Sequence, residues 1–199
     1  VARLSQYKNA LVRLKSLGFV KVFSDNLADA LGIRPTQVRK DFSLFQISGN
    51  KRGGYNIHEL LDRILTLLGK TETQEVVLVG LGHMGMALAK YTGFRKEGIH
   101  ICACFDIDPA KHNPQAQPPI FPMEKLVETV DRRHIRIAVV AVPDIAAQRV
   151  ADLLVAAGIK GILNFAPIQL RTPTDVEVRN VNLVQELENL FYFVRAEEV

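Results

Sequence analysis

Cysteine is scarce in this chain of 199 residues: only Cys102 and Cys104 are present. Neighbours that close rarely reach disulfide geometry, and two thiols make neither a disulfide scaffold nor a zinc-ligand pattern. Two apart on a strand, they are expected to point to the same face, and their scarcity fits a reducing compartment. No apolar run reaches the roughly 18 residues a membrane helix needs. The longest, around Ile135–Pro143, is too short. The opening residues, Val-Ala-Arg-Leu-Ser-Gln-Tyr-Lys, lack the apolar segment of a secretory signal. A cytoplasmic location with no membrane partner is expected. No internal repeat is visible. What is present is ordinary globular chemistry, with 48% hydrophobic and 23% charged residues. Those values exclude disordered and collagen-like classes. The length suits one large domain or two small ones.

Charge divides the chain unevenly. Residues 1–70 carry 12 Lys/Arg against 5 Asp/Glu, whereas residues 71–199 carry 13 against 16. A basic first third beside a mildly acidic remainder points to a polyanion partner for one part only, or to a merely solvated basic surface.

Helical spacing organises that first third. Leu4, Tyr7, Leu11, Leu14 and Leu17 recur three and four apart, with Gly18 suited to end the helix. Phe19–Phe23 reads as a short strand or turn. Ser24 is the expected cap of a second helix whose Leu27, Ala28 and Leu31 face inward until Gly32. Pro35 opens a third helix with Val38 and Phe42 as its apolar stripe. A basic, glycine-rich segment follows from Ser48 to Tyr55. Ile57, Leu60, Leu61, Ile64, Leu65 and Leu68 then mark one more helix.

From Glu75 the pattern alternates short β-branched runs with helices, which predicts a parallel sheet with right-handed crossovers. The expected strands are Val76–Val79, Ile99–Phe105, Ile135–Val142 and Gly161–Asn164. The expected helices lie near His83–Thr92, Met123–Arg132, Asp144–Ala157 and Leu183–Arg195, and the proline-rich stretch Asp108–Pro122 reads as a loop with at most a short strand. The expected domain boundaries are 1–70, 75–180 and 181–199.

Two constellations carry chemistry. The first is Gly80-Leu81-Gly82-His83-Met84-Gly85, placed directly after a strand and at the start of a helix. Gly80 permits the tight turn, Gly82 lets a pyrophosphate approach the backbone, and Gly85 lets helix and strand pack closely. The helix N-terminus offers unpaired N–H groups to phosphate. Asp106 ends the next strand, 21 residues after Gly85, and can accept from ribose hydroxyls while repelling a 2′-phosphate. This favours NAD over NADP. Val142-Pro143 closes a further strand at the same edge. Phe165-Ala166-Pro167 is either the nicotinamide-side wall or, for Phe165, a core aromatic.

The second constellation is helix, Gly32-Ile33-Arg34 turn, helix. With Val38 and Phe42 buried, Thr36, Lys40 and Ser43 face outward, flanked by Gln37 and Arg39. Arg and Lys can reach guanine O6 and N7, and Gln can reach adenine. Lys51 and Arg52 on the glycine-rich wing, beside Tyr55, are candidates for the minor groove. The bland alternative is a solvated face of a small helical bundle.

The last helix carries Leu183, Leu187, Leu190, Phe191 and Val194 on one face. That stripe must be buried, either on its own domain or on a second subunit.

Taken in order, several segments are similar to the Rex family of redox-sensing repressors over nearly the whole chain. They are Ala30-Leu31-Gly32, Pro35, Gln37 to Ser43, Gly54-Tyr55, Gly80 to Gly85, Phe105 to Pro109 and Ala156 to Pro167. The resemblance implies an α/β protein with an N-terminal winged helix-turn-helix, a Rossmann domain with a doubly wound parallel sheet, and a C-terminal helix swapped within a homodimer. It implies no enzyme activity. It implies a cytoplasmic repressor that binds palindromic double-stranded operator DNA, holds NADH or NAD+, and is released by NADH. It further implies that Tyr91, Asn9 and Asn182 occupy the positions that couple redox state to domain orientation, with Asn here where relatives often carry Arg and Asp. Arg34 stands where the family usually places a Thr or Ser cap.

Three rivals remain at this point: an NAD-dependent dehydrogenase, a CoA-binding protein, and a DNA-binding regulator sensing another nucleotide. Against the first, no His, Lys or Tyr is obviously placed as a proton donor. Against the second, Asp106 would oppose the 3′-phosphate of CoA.

Overall fold

The computed structural model describes residues 2–48, 53–70 and 73–196. The chain divides into two compact units, Val1–Glu72 and Thr73–Val199.

The first unit is built from α1 (Ala2–Ser16), β1 (Lys21–Val22), α2 (Ser24–Leu31), α3 (Pro35–Leu44), β2 (Tyr55–Asn56) and α4 (Ile57–Leu67). β1 and β2 pair antiparallel. Leu4, Tyr7 and Leu11 from α1 meet Leu27, Val38, Phe42, Ile57 and Ile64 in one core. Leu17 does not join them and is 64% exposed. α1 has already ended, and the chain turns away through Gly18 at φ +85°, so the three–four spacing overran the helix by one residue. Ser24 lies inside the first turn of α2 rather than at its cap. Phe23 holds the cap position, and its N–H donates to Asn26 Oδ1 at 2.9 Å. Arg34 occupies the cap of α3 with no side-chain bond, so Pro35 alone pre-sets that helix start. α4 is capped by Asn56, whose Oδ1 accepts from the N–H groups of His58 and Glu59.

The second unit is a six-stranded sheet in the order β5-β4-β3-β6-β7-β8, every neighbouring pair parallel. The strands are β3 (Gln74–Val79), β4 (Ile99–Phe105), β5 (Ile120–Phe121), β6 (Ile137–Val140), β7 (Gly161–Asn164) and β8 (Glu177–Asn180). The helices are α5 (His83–Lys90), α6 (Thr92–Lys96), α7 (Leu126–Arg133), α8 (Asp144–Ala156) and α9 (Leu183–Ala196), with 3₁₀ turns at Pro109–Lys111 and Met123–Lys125. β3 lies mid-sheet and is buried on both faces, which is why it reads as a continuous apolar run. The strand order reverses beside it, and a crevice opens at such a switch point.

β6 is shorter at both ends than the apolar run around it. Ile135 instead closes α7, its N–H bonding to Val130 O at 3.0 Å after a left-handed His134. β8 has only a polar edge pattern, Glu-Val-Arg-Asn, and gave no apolar signal. Cys102 and Cys104 do not share a face. A register shift between Val76 and Val77 inserts Cys102 as an extra residue opposite β3. Cys102 then packs with Ala103 in one core, and Cys104 packs in the other with Leu78 and Val139. This is the behaviour of a β-bulge. Among the described residues no helix is long and apolar enough to cross a membrane.

Candidate nucleotide and nucleic-acid sites

β3 delivers its last residues into Gly80 at the C-terminal edge of the sheet. Gly80 has φ +93°, and a Cβ there would stand 2.6 Å from Ala141 O. Gly82 caps α5, and a Cβ there would meet nothing within 4 Å. Its bare surface therefore faces open space at a helix N-terminus, where anions are stabilised. A Cβ at Gly85 would lie 1.8 Å from Gly80 O. The three glycines thus serve turn, approach and packing separately. This cradle fits a pyrophosphate.

Beside the cradle is a cavity of about 480 Å³, bordered by Gly80, Leu81, Gly82, Asp106, Ile107, Val142, Pro143 and the α8 residues Ala146 and Val150. Its walls are mainly apolar, and Asp106, Asp108, Lys111, Glu124 and Arg149 are the charged residues around it. Ile107 is 87% exposed at its lip. An apolar slot with a few polar groups suits a flat base and its ribose.

Asp106 is buried, and its Oδ2 accepts from Leu81 N–H at 2.6 Å and from Lys111 Nζ at 3.0 Å. Its Oδ1 accepts from Asp108 N–H at 2.9 Å. Burial pushes this carboxyl up, but the two backbone N–H groups and Lys111 outweigh it and hold it below the usual carboxylate range. Asp106 therefore organises the loop first, and Oδ1 keeps a lone pair for a ribose hydroxyl.

His83 and Met84 are exposed in the first turn of α5, one to two residues past Gly82. Phe165 is half-buried and packs against the core of Val76, Leu78 and Val139. Ala166 is buried, its N–H donating to Asn164 Oδ1 at 3.0 Å, and Pro167 is exposed.

In the first unit, Thr36, Arg39, Lys40 and Ser43 of α3 are exposed, and Val38 and Phe42 are buried. Arg39 lies 3.8 Å from Asp25 of α2. Gln37 is half-buried and donates through Nε2 to Asp41 at 2.7 Å. Tyr55 is half-buried, with its ring edge-on to Phe42 at 5.1 Å. Lys51 and Arg52 lie outside the described residues.

Of the three switch candidates, Tyr91 is 60% exposed and edge-on to Phe94. Asn182 Oδ1 accepts from the N–H groups of Val184 and Gln185, capping α9. Asn9 is exposed on α1 in the other unit. The cap had a sequence signal that went unread: Asn182 is followed three residues later by Gln185. The burial of Asp41 against Arg3 and Tyr7 had no sequence signal, because those two residues lie more than thirty positions away.

A family profile described as "CoA binding domain" matches residues 71–168, and one described as "Putative DNA-binding protein N-terminus" matches residues 1–43. The redox-sensing transcriptional repressor Rex of Desulforamulus reducens is 40% identical over 199 residues, spanning all of this chain and 95% of that protein. The chain belongs to the Rex family. Among solved Rex-family structures, RSP in complex with NAD+ and operator DNA is 33% identical. Its TM-score is 0.92, and the match covers 99% of this chain and 91% of that one. RSP in complex with NADH gives a TM-score of 0.85, with 99% and 93% covered. The names of these Rex proteins describe regulators, a non-enzymatic role. Their fold is the one found here, a DNA-binding N-terminus joined to a Rossmann-like parallel sheet.

Proposed function

We propose that this protein is a transcriptional repressor that reads the NADH/NAD+ ratio, binding operator DNA as a homodimer and leaving it when NADH occupies the second unit. One observation carries the reading: a Rex-family repressor crystallised with both NAD+ and operator DNA matches this chain over 99% of its length. The chain's own residues supply both functions. Gly80, Gly82 and the α5 N-terminus, with His83 and Met84 in its first turn, take the pyrophosphate. Asp106 takes a ribose hydroxyl, and Ile107, Val142 and Pro143 enclose the adenine. Phe165, Ala166 and Pro167 are proposed to face the nicotinamide. On α3, Thr36, Gln37, Arg39, Lys40 and Ser43 meet DNA, helped by Lys51, Arg52 and Tyr55 of the wing. The domains are proposed as 1–70, 75–180 and 181–199, and the cytoplasm as the location.

The apolar side chains of α9 support the dimer. Leu187, Leu190, Phe191 and Val194 are each 56–63% exposed in the single chain, and a second copy of α9 or of its neighbours is proposed to cover them. Two reading helices then address half-sites about 34 Å apart or a multiple of that. NADH and NAD+ differ by a hydride and a ring charge. A ligand shifts a conformational equilibrium only through its differential affinity for the two states. Tyr91, Asn9 and Asn182 are proposed as the residues that couple this difference to the reading helices, with Asn where relatives often carry Arg and Asp.

Operator affinity measured at one fixed salt concentration, with NADH and with NAD+ in separate titrations, tests the proposal; salt is fixed because phosphate contacts dominate DNA affinity. NADH is expected to weaken binding and NAD+ to leave it intact. Equal affinity in both, with NADH demonstrably bound, overturns it.

A further inference from the structure

The carboxylate of Asp41 sits on α3 with 6% exposure and accepts four hydrogen bonds. Arg3 Nε reaches Oδ2 at 2.5 Å and Arg3 Nη2 reaches Oδ1 at 2.8 Å. Tyr7 Oη donates to Oδ2 at 2.8 Å. Tying α1 to α3 needs only those three. The fourth comes from Gln37 Nε2, one turn earlier on α3, at 2.7 Å. Gln37 borders an open cleft of about 620 Å³ together with Lys40, Ser43 and Leu44 on the same helix.

The chemistry of this contact fixes the orientation of the amide. The Arg3 guanidinium holds Asp41 well below the usual carboxylate range, against the opposing effect of burial, and Tyr7 and Gln37 add to it. An ionised carboxylate only accepts. Gln37 must therefore turn its nitrogen, not its oxygen, toward Asp41. A free glutamine amide can present either group by rotating about its last bond. With Asp41 holding the nitrogen, Oε1 and the second N–H are left for other partners in one fixed order.

In the major groove adenine offers an N6–H donor beside the N7 acceptor, whereas guanine offers two acceptors, O6 and N7. A glutamine Oε1 meeting a base edge pairs with the adenine N6–H and is set against guanine O6. We propose that Asp41 is a positioning residue for base readout, locking the Gln37 amide so that it selects adenine over guanine at one position of each half-site. The inference rests on the DNA-reading role of α3 proposed above.

Selection from a pool of duplexes randomised across a palindromic site, using the full chain without NADH, tests it. Wild type is expected to enrich adenine over guanine at one half-site position by about tenfold, within the discrimination of a good bidentate contact. D41N is expected to lose that preference while the other positions keep theirs. Y7F, which removes a different bond from the same carboxylate, is expected to keep it. A D41N protein that melts as a folded species and retains the preference overturns the inference, as does a Y7F protein that loses it equally. Should D41N fail to fold, Q37N decides. It leaves Asp41 with Arg3 and Tyr7 but is one methylene too short to span Asp41 and a base, so retained adenine preference overturns the inference. If wild type enriches no sequence, the DNA-reading role of α3 falls and the inference with it. Enrichment by wild type with an unchanged D41N profile removes the inference alone.

Discussion

Gly85 approaches Gly80 so closely that a Cβ on Gly85 would stand 1.8 Å from the Gly80 carbonyl oxygen, whereas a Cβ on Gly82 would touch nothing within 4 Å. Two glycines of one loop therefore answer to different demands. G85A is expected to cost stability, about 1–3 kcal/mol or more from overpacking. G82A is expected to melt like wild type yet bind NADH at least tenfold more weakly, because its methyl occupies the space kept for phosphate. Thermal melts and NADH fluorescence titrations on the pair check this. Equal behaviour of the two variants would contradict it.

The exposed stripe of α9 leads to a second expectation. F191D places a charge where a second copy is proposed to pack, and Phe191 is 63% exposed in the single chain. The variant is expected to sediment as a monomer with each unit still folded. Operator affinity is expected to fall by about 10²–10⁴, the avidity lost when two linked heads become one. A dimeric F191D protein would contradict the assignment of this surface.

Much of this architecture was legible because its signals are local. The turn from Val79 through Gly85 announces itself within seven residues, and the stripes of α1 and α4 follow from spacing. What escaped was set by distant partners or by backbone irregularity. The side to which Cys102 points depends on a bulge formed against β3. β8 is an edge strand held by pairing with β7, so its own residues need no apolar pattern. α6 is separate from α5 because Tyr91 adopts an extended conformation between them, with no proline or glycine at that residue to mark the break. At the candidate sites, the glycines and α3 were readable. The prior engagement of Asp106 by Leu81, Asp108 and Lys111 was not.

Asp41 also makes a pH prediction. Its carboxyl is held below its ordinary value of 3.8, chiefly by Arg3. A group depressed in the folded state stabilises above its unfolded value, and the stabilisation is lost as pH falls through the folded value. Wild type is therefore expected to exceed D41N in stability at neutral pH, and the gap is expected to close as pH drops below about 4. Urea melts of both proteins between pH 7 and pH 2.5 measure it. A gap that widens on acidification would contradict the role of the Arg3–Asp41 pair.

Lys40 is exposed on α3 and is expected to meet a phosphate rather than a base edge. K40A should weaken binding to all duplexes by a similar factor and reduce the slope of log affinity against log salt by about 1.8, two phosphate contacts being lost per dimer. A change confined to one base position would instead make Lys40 a base reader.

The most direct measurement of the central claim is the Kd for NADH with and without saturating operator duplex, at one salt concentration. Linkage requires the factors by which the duplex raises that Kd at the two NADH sites of the dimer to multiply to the factor by which saturating NADH lowers operator affinity. The account predicts factors greater than one whose product matches. An NADH Kd unaffected by the duplex would contradict it.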